Sequence, residues 1–230
     1  MADNCVGSVL CHHDPCLVLS AQTLEDLDRI VHPATYPQGA LIFVEGQVAR
    51  GVFILCQGRA KVMGTSRSGK TFIMKIAKPG DILGLHDVVA GTLHELTVET
   101  LQPSQFGFIS GANFLHFIKE HGDACLHVAR QLSQDCQSAY EVVRSIGLST
   151  SVSEKVARLL LQWSLDGCMS DGAIHLKLAL THEEVAQLIG STRETVTRIL
   201  AELKKRDVVE LRGATLVIRN LAALEQLAHP

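Results

Sequence analysis

Seven apolar residues, Cys125, Ala129, Leu132, Cys136, Ala139, Val143 and Ile146, follow one another at intervals of 4, 3, 4, 3, 4 and 3. A period of 3.5 sustained over three heptads marks an a/d seam, in which side chains of one helix enter the holes of another. The spacing therefore predicts a long helix that needs a partner. The chain's own N-terminal half could supply one. A parallel pair of helices from two copies, joined through residues 112–146, satisfies the seam better, and a homodimer is expected. Cys125 and Cys136 then read as small apolar knobs, with a disulfide across the two-fold axis as the lesser alternative.

The residues before the seam follow a different period. From about residue 36 to 110, glycines at 39, 46, 51, 58, 69, 80 and 84 punctuate runs such as Leu41-Ile42-Phe43-Val44 and Val52-Phe53-Ile54-Leu55. Short β-rich runs between regular turn signals predict a small barrel or sandwich. The expected class is α+β. Four segments follow: a Cys-containing stretch 1–20, a β-rich segment 21–111, a seam helix with a hinge 112–147, and a C-terminal segment 148–230.

The C-terminal segment carries the readable chemistry. Ser151-x-x-Glu154 makes a capping box, with an apolar helix after it that Gly167 closes. Thr181-x-x-Glu184 is a second box and opens a helix to Ile189, which Gly190 ends in the left-handed conformation. Ser191-x-x-Glu194 is expected to open the next helix at once. Two helices joined by a short turn containing Gly describe a helix-turn-helix. On the second helix Arg193, Glu194, Thr197, Arg198, Ala201, Lys204 and Lys205 fall within an arc of about 140°. Val196, Ile199, Leu200 and Leu203 take the other side. Such a helix can pack by one face and offer Arg and Glu to guanine and cytosine edges by the other. Val208–Leu211 and Thr215–Ile218 then read as a hairpin wing, with Arg212 at its turn facing a phosphate. The net charge of −3 hides a local excess here: seven basic residues against four acidic ones within 190–219, or +3.

These motifs resemble the Crp/Fnr family of bacterial transcription regulators over nearly the whole chain. Tyr36-Pro37-x-Gly39-x-Leu41-Ile42-Phe43-x-Glu45-Gly46, Val52-Phe53-Ile54-Leu55-x-x-Gly58-Arg59 and Pro79-Gly80-Asp81-Ile82-Leu83-Gly84 are similar to that family's cyclic-nucleotide-binding-type β-roll. Ser191-Thr192-Arg193-Glu194-Thr195-Val196-Thr197-Arg198 is similar to its recognition helix. The resemblance implies a β-roll, a long dimer helix and a winged helix-turn-helix. It assigns Arg193, Glu194 and Arg198 to base reading, with Ser191, Thr192, Thr197, Lys204 and Arg212 as further DNA contacts. Members with Arg at the first of these positions favour TGTGA-like half-sites, whereas those with Val there favour TTGAT-like ones. The partners expected are double-stranded DNA, a second copy of the chain and RNA polymerase.

For the signal, the resemblance offers three branches. Members that bind cyclic AMP hold its phosphate with a Gly-Glu-Leu stretch and an Arg-Ser or Arg-Thr pair. Here those positions read Gly84-Leu85-His86 and Glu95-Leu96, and a carboxylate repels a phosphate. Cyclic AMP is therefore not expected. Cys5, Cys11 and Cys16 sit where the Fnr branch keeps three thiolate ligands of a [4Fe–4S] cluster, although their spacing differs. Cys56, Asp14 or a histidine of His12-His13 is left as fourth ligand, and thiol–disulfide chemistry is the other cysteine reading. His86 falls where a CO-sensing branch places a haem ligand, and a regulator that needs no effector is the remaining alternative.

Other classes find no support. There is no Ser/His/Asp order of known type, no GxxxxGK[ST] loop and no HExxH, so an enzyme is not expected. No window approaches the roughly 20 apolar residues of a membrane helix, and the N-terminus lacks a basic region followed by an apolar stretch. A cytoplasmic location is expected, where the seven cysteines would stay mostly reduced.

Overall fold

The computed structural model describes residues 19–66, 69–147, 151–165, 167–177, 180–212 and 215–228. The chain divides into two units at Tyr140–Glu141, within a helix and not at the expected hinge.

The first unit begins with α1 (Ala21–Ile30), capped by the Ser20 hydroxyl. Eight strands follow: β1 (His32–Tyr36), β2 (Leu41–Phe43), β3 (Gly51–Gln57), β4 (Ala60–Thr65), β5 (Thr71–Ala77), β6 (Ile82–Leu83), β7 (Thr97–Thr100) and β8 (Ser104–Ser110). The short helix α2 (Leu85–Ala90) lies between β6 and β7. The strands form two antiparallel sheets, ordered β1-β8-β3-β6 and β2-β7-β4-β5. This is the sandwich that the glycine punctuation predicts, in the form of the β-roll that the family resemblance implies.

Strand β3 shows why two cores arise. Successive side chains of a strand point to opposite faces. Phe53 and Leu55 join Phe43, Val62, Val98 and Phe106 in a cluster to which both sheets contribute. Val52, Ile54 and Cys56 face the other way, into a cluster with Leu27, Phe114, Phe117 and Val128 of the helices. Cys56 is thus core, 4% exposed, its thiol directed to the Ile54 carbonyl at 3.7 Å.

The segment 112–147 is not one helix. α3 (Gly111–Glu120) ends at His121, whose backbone is extended, and α4 (Gly122–Gly147) starts afresh. The break serves packing: α3 buries Phe114 and Phe117 against the roll. α4 lays Ala124, His127, Val128 and Gln131 against it. The seam is a neighbouring stripe on α4. Cys125, Ala129 and Cys136 are exposed, and Leu132 and Ala139 half-buried. Val143 and Ile146 have side chains outside the described residues, as do residues 148–150 of the expected hinge.

Two contacts key α4 to the roll. The Gln131 amide accepts from the Ile82 N–H at 3.1 Å and donates to the Ile82 carbonyl at 2.8 Å. At the helix start, Asp123 accepts from the Ser20 N–H at 2.8 Å, the Thr23 hydroxyl at 2.9 Å and the Ala124 N–H at 2.8 Å. Burial raises the Asp123 carboxyl, but these hydrogen bonds outweigh it and hold the group below the ordinary value.

The second unit contains α5 (Val152–Ser164), β9 (Cys168–Ser170), β10 (Ala173–Lys177), α6 (His182–Ile189), α7 (Arg193–Lys205), β11 (Val209–Arg212), β12 (Thr215–Ile218) and α8 (Leu221–Ala228). Its sheet has the order β11-β12-β10-β9. The β9–β10 hairpin is an addition to the sequence reading. Its turn, Asp171-Gly172, places both residues at positive φ, 52° and 73°, the pairing that two-residue hairpins prefer. Gly167 does not cap α5 directly, since the helix ends at Ser164. A Cβ at Gly167 would lie 2.3 Å from Ile174, so the glycine permits close packing.

A carboxylate held below its unfolded value stabilises the fold above that value, near pH 3.9, and the contribution fades as pH falls through the folded value. Asp123→Asn should therefore cost about 1 kcal/mol at pH 7. The difference should shrink as pH falls below about 3.9, as urea titrations at neutral and acid pH would measure.

Candidate nucleic-acid interface

The helix pair α6–α7 is built by local rules. Thr181 and Glu184 cap α6 reciprocally: the Thr181 N–H donates to Glu184 Oε2 at 2.8 Å, and the Glu184 N–H donates to Thr181 Oγ1 at 3.2 Å. At the other end Gly190 takes φ 66°, ψ 43°, a conformation that costs a residue with a Cβ. The Ser191 N–H then returns to the Ala186 carbonyl at 2.9 Å, so the helix end is satisfied and the chain reverses.

The cap of α7 differs from the expectation. Thr192, not Ser191, is the N-cap, and its hydroxyl accepts from the Thr195 N–H at 3.3 Å. Ser191 is spent on the turn, so the Ser191–Glu194 box does not form. Glu194 is left exposed in the first helical turn.

α7 buries Val196, Ile199, Leu200 and Leu203, which cluster with Val185 and Ala186 of α6. Arg193, Glu194, Thr197, Arg198, Ala201, Lys204 and Lys205 are all exposed, as the helical arc requires. The guanidinium groups of Arg193 and Arg198 are engaged by no described residue, which leaves their paired donors available. Thr197 is different. Its hydroxyl lies 2.9 Å from His182 Nδ1, a tie between the first residue of α6 and the middle of the polar face. A contact between residues 15 apart has no local signature, and sequence reading did not find it.

The wing forms one residue later than expected: its first strand is Val209–Arg212, with Val209 opposite Ile218, and Arg212 lies opposite Thr215 within the ladder and not in the turn. The side chain of Arg212 lies outside the described residues. Arg219, at the base of the wing, is instead paired with Glu210.

Among the described residues, those singled out for sensing do not converge. Cys5, Cys11 and Cys16, with His12, His13 and Asp14, lie outside the described residues. His86 stands on α2 with its side chain 66% exposed, 3.7 Å from Asp87 Oδ1. Glu95 is exposed. Leu96 packs against the cluster between the two sheets. An apolar side chain and a solvated carboxylate thus stand where the resemblance places a phosphate clamp. Among the described residues no group of three or more His, Cys, Asp or Glu could hold a metal ion. No described helix is long and apolar enough to cross a membrane.

Comparison with known proteins agrees with this division. The cyclic nucleotide-binding domain family matches residues 33–121, and the Crp-like helix-turn-helix domain family matches residues 154–227. The chain is 26% identical over 200 residues to the cAMP-activated global transcriptional regulator CRP of Pasteurella multocida, covering 85% of this chain and 94% of that protein. It is 24% identical over 194 residues to the global nitrogen regulator of Synechocystis sp., covering 84% and 86%. Among solved structures, FixK2 from Bradyrhizobium japonicum gives a TM-score of 0.78 at 20% identity, over 87% of this chain and 98% of that one. A CooA mutant from Carboxydothermus hydrogenoformans gives 0.74 at 23%, over 92% and 98%. At such identities the structural likeness establishes the fold.

The reassigned cap has a measurable consequence. Thr192→Ala should destabilise the C-terminal unit by about 1 kcal/mol, and Ser191→Ala by no more than about 0.5 kcal/mol. Chemical denaturation of the two variants side by side checks the order.

Proposed function

Because this chain belongs to the Crp/Fnr family of transcription regulators and carries its DNA-binding helix-turn-helix, we propose that it reads a TGTGA-like palindrome as a homodimer. The controlling signal in this reading is redox, gas or small-molecule chemistry other than cyclic AMP. The observation that carries it is the unengaged, exposed Arg193–Glu194–Arg198 group at the N-terminal end of α7.

A helix packed by one face and polar on the other enters the major groove N-terminus first. There an Arg donates two hydrogen bonds to guanine O6 and N7, and Glu194 accepts from cytosine N4. Ser191, Thr192 and Thr197 supply hydroxyls near the backbone, and Lys204 and Arg212 supply positive charge for phosphates. A palindrome needs two such helices about 34–36 Å apart, hence two chains. The exposed stripe Cys125, Ala129 and Cys136 on α4 supports that pairing. A change at the roll shifts the packing of the paired α4 helices and so the spacing of the two recognition helices. RNA polymerase is the further partner this reading adds.

The signal is argued by chemistry. The Pasteurella multocida relative is described as cAMP-activated. In this chain Glu95 and Leu96 occupy the positions of the phosphate-holding pair, which supports a different effector. Cys5, Cys11 and Cys16 remain candidates for an iron–sulfur cluster or for redox thiols, with Cys56, Asp14 or a histidine of His12-His13 as the fourth ligand of a cluster. His86 is a poor fit to a haem axial ligand, because its ring stands in solvent. A visible spectrum of protein purified without oxygen decides among these. A shoulder at about 400 nm marks iron–sulfur, an intense sharp Soret band marks haem, and a blank removes both.

Two variants test the DNA reading. Arg193→Ala should lose about 1–3 kcal/mol on a TGTGA palindrome and discriminate less at one guanine. Equal binding by the variant and the wild type in a gel-shift titration would refute the base assignment. Ala129→Glu places a charge on the exposed stripe and should yield folded single chains by sedimentation, with palindrome binding reduced at least tenfold.

A further inference from the structure

The polar face of α7 is not uniform. At about 100° per residue, Thr197 stands between Arg193 and Glu194 around the helix and one turn further along, with Arg198 beside it. The flanking side chains are long. Thr197, and Ala201 after it, are short, and all five are exposed. The middle of the face is therefore a shallow strip between long arms, where the floor of a groove comes nearest to the helix.

The Thr197 side chain is also held. Its Oγ1 lies 2.9 Å from Nδ1 of His182, the half-buried first residue of α6. Whichever atom carries the proton, the bond directs the oxygen toward α6. Oγ1 and the methyl share Cβ, and a β-branched side chain occupies discrete rotamers, so fixing one fixes the other. In a helix-turn-helix the first helix crosses the DNA backbone and the second enters the groove. The hydroxyl is thus turned to the backbone side, and the methyl is the part of this exposed residue left for a base edge. A threonine methyl in the major groove finds its counterpart in the C5-methyl group of thymine, which the other three bases lack.

We propose that Thr197 is a specificity-determining residue that reads a thymine by its methyl group, and that His182 is the positioning residue that orients it. This rests on the reading of α7 as the helix that enters the major groove. It adds a contact of another kind to those of Arg193, Glu194 and Arg198. Those residues discriminate by donors and acceptors, whereas the Thr197 methyl discriminates by apolar contact and separates thymine from uracil, which differ by that methyl alone. Without His182 the hydroxyl is free to turn to a carbonyl of the preceding turn, as threonines within helices commonly do, and the methyl leaves its position.

The test is a gel-shift titration of the full-length protein on the TGTGA palindrome. Each thymine of one half-site, on either strand, is replaced in turn by deoxyuridine, which removes only the methyl group. Wild type should lose about fourfold at the position that Thr197 reads, the worth of one buried methyl. Thr197→Ser keeps the hydroxyl for His182 but has no methyl, so it should bind the thymine and uracil duplexes equally at that position. His182→Ala should lower the penalty, and His182→Asn, whose amide stands where Nδ1 does, should restore it. A merely structural loss would weaken both duplexes alike and leave their ratio at the wild-type value. The proposal is overturned if no replacement weakens wild-type binding, or if Thr197→Ser leaves every penalty in place. A penalty undiminished in His182→Ala overturns the role of His182. If wild type does not bind the TGTGA duplex, the palindrome assignment fails, and the same replacements in a duplex that the protein selects from random sequence decide the role of Thr197. Selection of no duplex at all overturns both.

Discussion

Everything in the N-terminal unit depends on α4 serving two surfaces with one helix. One stripe, Ala124, His127, Val128 and Gln131, is buried on the roll. The next, Cys125, Ala129 and Cys136, is left in solvent. A helix that buried both stripes on its own domain would have no seam to offer, and one that buried neither would be free of the roll. The break at His121 makes the division possible. It lets α3 spend Phe114 and Phe117 on the core while α4 starts with a new direction and its own anchored first turn at Asp123.

The C-terminal unit solves a comparable problem on a smaller scale. α7 needs one face wholly apolar so that the other can remain unpaired, since a guanidinium already bonded within the chain has less to offer a base. Val196, Ile199, Leu200 and Leu203 supply that apolar face, each at most 5% exposed. The acidic residues nearby are directed elsewhere: Glu184 to the cap of α6 and Glu210 to Arg219. Neither is therefore spent on a cation of α7, whose Arg193, Arg198, Lys204 and Lys205 stand against Glu194 and Glu202 of the same helix.

Features set by short-range chemistry were legible in the sequence. The caps at Ser151 and Thr181, the turn at Gly190, the two faces of α7 and the strand punctuation each depend on residues within about one turn of each other. The errors have the same explanation in reverse. Ser191 and Thr192 are both good caps, and the choice fell to Thr192 only because the helix-turn geometry used the Ser191 N–H for the preceding helix. The β9–β10 hairpin carried a legible Asp171-Gly172 signal that went unused. The His182–Thr197 and Asp87–His94 contacts join residues brought together by tertiary folding, and no pattern along the chain announces them. Of the proposed sensing residues, His86 matched a family position, yet the buried, oriented histidine is His94.

The roll and α4 are joined by a connection with little slack. β6 is two residues long, and Ile82 within it is held at both backbone groups by the Gln131 amide. Two residues further on, Gly84 leads into α2, which carries Asp87 and through it His94. A shift of α2 is passed to β6 through a chain too short to absorb it. At β6 the shift must either break two buried hydrogen bonds or move α4. Breaking them would leave a backbone N–H, a carbonyl and an amide unpaired in the core, at about 1–3 kcal/mol for each group. Moving the helix costs less if its exposed stripe can repack. In the proposed population-shift mechanism, the bracket at Ile82 is the tie through which a change at the roll would reach the seam.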